Sequence, residues 1–275
     1  MKLSIVLSTQ PASFTALAYK GELGKNLAKI KDLGYDGVEL AVRDPALLDV
    51  RELETSLQHC QLPVPAIGTG QPYGEEGLSL SDRRQAIREK AIERIQDQFK
   101  LAERLQALVI VGLIRGGQIP ASEFEAAEAR LLESLQACLS DTAATRLVIE
   151  PINRYETSLL NTVGAALCFL DRLKDDRVGL LLDTFHMNIE EPSLSESIKL
   201  AGDRIYHFHL ADSNRRHPGA GHVNFAVVIE TLSKIGYNKY LSAEILPLPD
   251  PDTAAVNTIR YMRGLLSNPH QEMRR

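Results

Sequence analysis

Short apolar runs rich in Val, Ile and Leu alternate along the chain with longer stretches of amphipathic character. Most of the runs show no polar alternation, which is typical of parallel strands buried on both faces. The eight runs cover residues 3–8, 37–42, 64–68, 107–112, 146–150, 178–183, 205–210 and 240–244. Each run therefore predicts one strand of a parallel sheet.

The stretches between these runs have helical spacing. In the first of them, Leu23, Leu27 and Ile30 recur on one helical face. The predicted helices cover residues 21–33, 47–58, 82–105, 123–139, 162–173, 194–200, 225–235 and 253–266. Eight β/α repeats predict an α/β fold, a single (β/α)8 TIM barrel. We expect one domain over residues 1–267 and a polar C-terminal tail over residues 268–275.

A doubly wound open sheet is the alternative fold for such a pattern. That fold usually carries a glycine-rich phosphate-binding turn after its first strand. Here the first run leads into residues 8–11 (STQP), which contain no GxGxxG motif. Walker, GxSxG and HExxH motifs are also absent from the sequence. The pattern therefore favours the barrel.

Composition and charge narrow the class of protein. The 275 residues are 44% hydrophobic and 24% charged, as in ordinary globular proteins, and the net charge of −5 argues against a nucleic-acid partner. Cys60, Cys138 and Cys168 form no CxxC pair and predict neither a disulfide framework nor a thiolate metal site. The sequence has no apolar stretch of about 18 residues and no signal-peptide pattern. We expect a cytoplasmic protein with no membrane partner.

Carboxylate and imidazole side chains lie at the ends of the last four predicted strands. In a TIM barrel the active site forms at the carboxyl ends of the strands. Four consecutive runs deliver Glu150, Asp183, His209 and Glu244 to that edge. A single strand-end carboxylate is more often a helix cap or an ion pair, but four potential ligands in succession predict a metal site. His207 shares the face of His209 and is interpreted as a core histidine deeper in the barrel.

Three carboxylates brought close together would repel each other and resist ionisation. A divalent cation resolves this conflict. A set of three oxygen ligands and one nitrogen ligand suits Mn²⁺, Mg²⁺ or Co²⁺ better than a structural Zn²⁺, and we expect Mn²⁺. Four protein ligands leave two octahedral positions open for a chelating substrate.

Several longer motifs carry a resemblance to a known family. They are the segments IEPINRYE at 149–156, LDTFHMNIEE at 182–191, HFHLADSNR at 207–215 and PGAGH at 218–222. Over essentially its whole length the chain resembles the D-tagatose/D-psicose 3-epimerase group of the xylose isomerase-like TIM barrels. This resemblance implies a metal-dependent carbohydrate epimerase that forms dimers or tetramers.

The first half of the chain is most similar to one branch of that group, the 5-keto-L-gluconate epimerases. The similarity lies in the segments KLS at 2–4, AVRDP at 41–45, AIGTGQ at 66–71 and GLIRG at 112–116. A keto-sugar acid is the substrate that this branch implies, in a reaction of the 5-keto-L-gluconate to D-tagaturonate type.

The resemblance also implies a role for each matching residue. It assigns metal binding to the four strand-end residues and the acid/base work to Glu150 and Glu244. It assigns the binding of the substrate's carbonyl end to Glu156, His186 and Arg215.

The residues themselves suggest a mechanism. Inverting a carbon beside a ketone requires a proton to leave one face and another to arrive on the opposite face. Glu150 and Glu244 lie on different strands and suit this geometry. The divalent cation would stabilise the negative charge of the enediolate as a Lewis acid.

The substrate class depends on three further residues. Arg43 and Arg115 lie just past the second and fourth runs, where a guanidinium can bind a carboxylate or phosphate, although an arginine there is more often in a rim ion pair or solvated. The backbone at Gly68 can offer N–H donors to an acidic group. These residues favour a keto-sugar acid, with a neutral ketohexose as the next candidate.

Other functions remain compatible with the sequence. An aldose–ketose isomerase of the hydroxypyruvate type could use the same metal and carboxylates. A metal-dependent endonuclease would need more histidines than the seven present and a less acidic surface. A sugar dehydratase and a non-catalytic sugar-binding barrel are the remaining alternatives.

Overall fold

Every predicted run forms a parallel strand in the computed structural model, which describes residues 1–140 and 144–267. One additional two-residue strand follows the first. The strands are β1 (Lys2–Ser8), β2 (Tyr19–Lys20), β3 (Gly37–Ala41), β4 (Ala66–Gly68), β5 (Leu108–Val111), β6 (Leu147–Ile149), β7 (Val178–Asp183), β8 (Ile205–Leu210) and β9 (Tyr240–Ala243).

The sheet closes on itself. Consecutive strands pair in order from β3 to β9, and β1 pairs with both β3 and β9, so that Ile5 lies between Val38 and Ala243. The short strand β2 pairs only with the end of β1. The result is a closed barrel of eight parallel strands, and the predicted TIM barrel is confirmed.

Helices connect the strands on the outside of the barrel. They are α1 (Leu23–Asp32), α2 (Val50–Cys60), α3 (Gly70–Glu76), α4 (Gln85–Leu105), α5 (Phe124–Ser140), α6 (Val163–Leu173), α7 (Thr184–Glu190), α8 (Leu194–Ala201), α9 (Phe225–Lys234) and α10 (Pro251–Ser267). The sequence pattern did not predict α3 and α7. Each has only seven residues, too few for a helical stripe to be visible, and each begins directly after a strand at the mouth of the barrel.

Successive side chains along each strand point alternately outward and inward, and both faces are buried. Outward residues such as Leu40, Ile149 and Phe208 pack in the large core between the barrel and the helices. Inward residues Ala66, Ile110, Val148 and Leu181 form a separate small cluster inside the barrel. Because both faces are buried, the period of two is hidden wherever both faces carry aliphatic side chains. One step further along the strands, the inward positions carry polar and charged side chains.

Some sequence predictions concern features that lie outside the structure or are left untested by it. The predicted tail, 268–275, lies outside the described residues, and the single-domain organisation stays a prediction. No helix in the described ranges has the length and apolar character needed to cross a membrane. Cys60, Cys138 and Cys168 are all free, and only Cys168 is exposed.

A glycine in β7 allows a close approach inside the barrel, and its substitution should destabilise the fold. A Cβ atom at Gly179 would lie 2.4 Å from the Tyr206 ring and 2.8 Å from the carbonyl oxygen of Arg204. We expect Gly179→Ala to lower the free energy of unfolding by about 1–3 kcal/mol, measured by urea denaturation. Gly164→Ala is the matched control, because a Cβ there meets no atom within 4 Å and alanine is favoured in a helix. Equal stability of the two variants would contradict this account of the packing.

Candidate active site

The structure brings the four predicted strand-end residues together at the mouth of the barrel. Glu150 follows β6, Asp183 ends β7, His209 lies in β8 and Glu244 follows β9. One potential ligand atom of each residue lies within 4.8 Å of those of the other three. Glu150, Asp183 and His209 are buried, and Glu244 is partly buried.

Three atoms of this cluster have no hydrogen-bond partner in the described part of the chain. Oε1 of Glu150, Oδ2 of Asp183 and Nδ1 of His209 are buried and have no hydrogen-bond partner among the described residues. Nδ1 of His209 lies 3.9 Å from each of the two carboxylate oxygens. Buried polar atoms are rarely left unpaired in folded proteins. Unpaired oxygen and nitrogen acceptors around one gap fit a hard divalent cation.

Local structure holds the Asp183 carboxylate in place. Asp183 is both the last residue of β7 and the N-cap of α7, and its Oδ1 accepts the backbone N–H of Phe185 at 2.7 Å. The cap satisfies one oxygen and leaves Oδ2 facing the gap. The common role of a strand-end Asp as a helix cap and the predicted role as a ligand are therefore compatible in this residue.

His209 is held by a residue that the sequence analysis missed. Glu39 lies in the middle of β3, is buried, and contacts Nε2 of His209 at 3.0 and 3.1 Å. The same carboxylate lies 2.7 Å from Nε2 of His207. The available signal was a single charged residue inside an otherwise apolar run, GVELA. His207 is buried, as its interpretation as a core histidine requires.

Glu156, Arg215 and Glu244 form a chain of ion pairs along the wall. Arg215 lies 2.8 Å from Oε1 of Glu156 and 3.1 Å from Oε2 of Glu244. Its guanidinium also lies over the rings of Phe14 and Phe185, at 5.0 and 4.8 Å from their centroids. These contacts fix the guanidinium at the cavity surface with its charge directed at two carboxylates.

His186 extends the same network. The side-chain amide of Asn153 lies 2.7 Å from Nδ1 of His186 and 2.9 Å from Oε1 of Glu156. Since the Asn153 carbonyl oxygen accepts the N–H of Tyr155, the amide nitrogen faces His186 and donates to Nδ1. The proton of the neutral imidazole is thereby assigned to Nε2, which lies 3.7 Å from Oε1 of Glu150. Burial, followed by the charge of Arg215, holds the pKa of His186 well below its ordinary value.

The carboxyl groups of the cluster are electrostatically strained when no cation is present. Burial, followed by the charge of Glu244, raises the pKa of Glu150 well above its ordinary value. Burial also raises the pKa values of Asp183 and Glu244. Burial disfavours the imidazolium of His209, but the carboxylate of Glu39 outweighs it and raises the pKa of His209 to about 10.

The walls of a partly open cavity of about 350 Å³ include Glu150, His186, His209, Arg215 and Glu244. That volume lies at the lower end of the range of roughly 300–1,000 Å³ for small-molecule sites. Gly68 and Gly112 lie in its wall. A Cβ at Gly112 would lie 2.9 Å from Oε2 of Glu150, so the missing side chain makes room for that carboxylate.

Two predicted substrate residues lie away from the cavity. The prediction that Arg115 faces the rim is wrong: its side chain is fully buried and donates to the carbonyl oxygens of Gly112, Glu150 and Leu159. A 3-10 turn directly after β5 directs it beneath the loops. Arg43 does not line the cavity either, and its Nε lies 3.8 Å from Oε1 of Glu76.

The wall of the cavity is therefore rich in carboxylates. Glu39, Glu75, Glu150, Glu156 and Glu244 all line it. Among the lysines and arginines that the structure describes, only Arg215 lines this cavity, and it is already paired with two of the carboxylates.

Comparison with known proteins agrees with this architecture. Residues 27–265 match the protein family described as the xylose isomerase-like TIM barrel. The chain is 32% identical to L-ribulose 3-epimerase of Mesorhizobium japonicum, over 84% of this chain and 78% of that protein. It is 33% identical to D-psicose 3-epimerase of Enterocloster bolteae, over 78% of this chain and 73% of the other.

Solved structures show the same fold. A structure of L-ribulose 3-epimerase has a TM-score of 0.82 and 26% identity, covering 99% of this chain and 97% of the other. D-allulose 3-epimerase from Methylomonas sp., solved in complex with D-allulose, has a TM-score of 0.83 and 24% identity, covering 96% of each chain. The protein is an enzyme of the carbohydrate epimerase and isomerase class, and the resemblance found in its sequence is confirmed: the chain belongs to the xylose isomerase-like TIM barrel family.

Proposed function

We propose that this enzyme is a ketose 3-epimerase that inverts C3 of a free, uncharged ketose. The observation that carries the proposal is the convergence of Glu150 and Glu244 on one cavity beside a cluster of unpaired ligand atoms. The names of the relatives, L-ribulose 3-epimerase and D-psicose 3-epimerase, support it.

The two glutamates are suited to opposite faces of the substrate. β6 and β9 lie three places apart in the ring of eight strands, so their side chains enter the cavity from different sides. One carboxylate removes the C3 proton from its face, and the other delivers a proton to the opposite face. For the reverse reaction the two exchange roles. General acid–base help of this kind contributes about 10²–10⁴-fold in rate.

The neighbouring residues orient the sugar and would stabilise the negative charge that develops on it during the reaction. Nε2–H of His186 and the guanidinium of Arg215 are donors at the cavity wall and would hold the oxygens next to the reacting carbon. Glu156 holds Arg215 and is itself held by Asn153. Glu150, Asp183, His209 and Glu244 would hold a divalent cation, with Mn²⁺ favoured and Mg²⁺ or Co²⁺ also suited. When bound, the cation supplies Lewis-acid stabilisation of developing negative charge.

The charge of the cavity supports an uncharged substrate. An acidic group on the sugar would enter a wall of carboxylates whose one lining arginine is already paired. Arg43 and Arg115 were the basis for a keto-sugar acid, and neither lines the cavity. The 5-keto-L-gluconate reaction therefore keeps only its sequence resemblance as support, together with backbone donors at Gly68.

Other parts of the functional prediction rest on the sequence alone. The dimer or tetramer, the reducing cytoplasm and the absence of a nucleic-acid partner stay predictions. An aldose–ketose isomerase would use the same carboxylates and is separated from an epimerase by its product. A non-catalytic sugar-binding barrel would require neither glutamate.

The first prediction about function concerns the product and the position of deuterium in it. With D-fructose, L-ribulose or 5-keto-L-gluconate in D₂O, we expect the C3 epimer of a neutral ketose to accumulate with one deuterium at C3. Because two different groups handle the proton, deuterium should enter the product before it enters the remaining substrate. Proton NMR after removal of the protein and the metal measures both.

Two other results of that experiment would contradict the proposal. An aldose product would make the enzyme an isomerase, and faster turnover of 5-keto-L-gluconate would contradict the uncharged substrate. Arg43→Gln is the control for the acid, since we expect it to leave the ratio of kcat/KM for acid and neutral sugars unchanged.

The second prediction separates the two glutamates. Glu150→Gln and Glu244→Gln should each lower kcat for epimerisation by at least about 10²-fold, because each removes one of the two proton carriers. Each variant should still exchange the C3 proton of one epimer with D₂O, and the two variants should act on opposite epimers. NMR of D-fructose and D-psicose offered separately, at saturating Mn²⁺, measures this exchange.

A surface carboxylate provides the control for that pair. Glu54 lies on α2 and pairs with Arg104 at the surface, so Glu54→Gln should leave turnover intact. Exchange of the same epimer by both active-site variants would contradict the assignment of one glutamate to each face.

The third prediction is that cation binding tightens as the pH rises. The pKa of His209 is raised to about 10, so the cation-free cluster retains that proton near neutral pH, and the raised pKa values of Glu150, Asp183 and Glu244 shift their protonation toward higher pH. A cation needs these groups deprotonated, so binding releases protons and weakens as the pH falls. Titration calorimetry with Mn²⁺ at about pH 6 and about pH 8, in buffers of different ionisation enthalpy, measures both effects. An affinity independent of pH with no proton release would contradict the proposed ligand set.

A further inference from the structure

Glu39 occupies an unusual position for a carboxylate. It lies in the middle of β3, across the barrel from β8, and only 1% of its surface is exposed. Its two oxygens contact the imidazoles of His207 and His209, which are two residues apart on the same face of β8. No role in proton transfer or sugar binding accounts for this residue.

The contacts determine which nitrogen of each histidine carries a proton. Both imidazoles present Nε2 to the carboxylate, at 2.7 Å for His207 and at 3.0 and 3.1 Å for His209. The two oxygens of a carboxylate only accept hydrogen bonds, so each Nε2 in contact with Glu39 is a donor.

The state of the opposite nitrogen of His209 follows from this. A bound cation requires a neutral imidazole, and a neutral ring with its proton on Nε2 has a lone pair on Nδ1. Nδ1 of His209 is the unpartnered atom that lies 3.9 Å from Oε1 of Glu150 and from Oδ2 of Asp183. The hydrogen bond to Glu39 therefore directs the lone pair into the gap where the cation would bind.

Glu39, His207 and His209 are also close enough together to be considered a second cation site. Their mutual hydrogen bonds argue against this. The Nε2 atoms are both donors to Glu39, and neither Glu39 nor His207 has an unpartnered buried side-chain atom. In this group, only His209 has an atom without a partner, and that atom faces the other cluster.

We propose that Glu39 is the positioning residue of the metal centre, which fixes His209 in the tautomer that turns Nδ1 toward the cation, while His207 holds Glu39 in place. The inference rests on the proposed metal centre and adds to it a residue that acts through His209. Partners of this kind behind metal-binding histidines commonly change metal affinity by about 10–100-fold.

Glu39→Gln tests the inference against His207→Gln. The new amide has one acceptor oxygen for two Nε2–H donors and no negative charge, and its nitrogen lies within 3.1 Å of Nε2 of His209, so it holds the required tautomer less firmly. Glutamine at position 207 keeps an N–H donor for Glu39. We expect Glu39→Gln to weaken Mn²⁺ binding by about 10–100-fold and His207→Gln to weaken it much less. The free Mn²⁺ signal in electron paramagnetic resonance titrations gives both affinities without an activity assay.

A measurement on the unaltered enzyme covers the case in which Glu39→Gln fails to fold. Histidine labelled with ¹⁵N in the Mg²⁺-loaded protein reports the tautomer of each ring by long-range ¹H–¹⁵N NMR. We expect His209 to carry its proton on Nε2 and to have an unprotonated Nδ1, with His209→Gln used for assignment. A proton on Nδ1 of His209 would overturn the inference, as would unchanged Mn²⁺ affinity in a folded Glu39→Gln variant. If the unaltered enzyme bound no Mn²⁺ at all, the proposed metal centre would fail with it.

Discussion

The arrangement of the site depends on the repulsion among carboxylates buried at the mouth of the barrel. Glu150, Asp183 and Glu244 lie close enough for one atom of each to be within 4.8 Å of the others. In a medium of low dielectric constant such groups resist ionisation, and the raised pKa values of all three express that cost. A fold that keeps them together must hold each in place by a bond that leaves one oxygen unused, and the remaining charge is available for a cation.

Two of the three carboxylates are held in this way, and the third is held through its backbone. The N-terminus of α7 holds one oxygen of Asp183, and Arg215 holds one oxygen of Glu244. Arg115 holds the backbone rather than the side chain of Glu150, so its buried charge lies behind the carboxylate without pairing with it. Glu39 does the same for His209 from the opposite ring nitrogen. The supports approach from outside the gap, and so the unpaired atoms all face inward.

How much of this could be predicted from the sequence depends on the distance over which each signal acts. Strand ends are local, so Glu150, Asp183, His209 and Glu244 were found by examining the last residues of the apolar runs. Glu39 was missed because its partners lie 168 and 170 residues away, and no spacing along the chain reports a contact across a barrel. Arg115 was misplaced because it lies in a three-residue 3-10 turn after β5, where its side chain is buried against backbone carbonyl oxygens. The two helices at the mouth, α3 and α7, were too short to show a period.

The same balance of charge bears on the choice of substrate. Five carboxylates surround the proposed centre, namely those of Glu39, Glu150, Glu156, Asp183 and Glu244, while Arg115 and Arg215 are the nearby guanidinium groups. With a divalent cation bound, the positive charges nearly balance the negative ones, and no strong field remains to attract a further anion. The hydroxyls of a ketose add no charge and can both donate and accept hydrogen bonds. A carboxylate or phosphate on the sugar would have to be desolvated against Glu75 and its neighbours, at a cost that an uncharged sugar avoids. Selection against charged sugars would then follow from the electrostatics that the catalytic carboxylates impose, without a dedicated residue for the purpose.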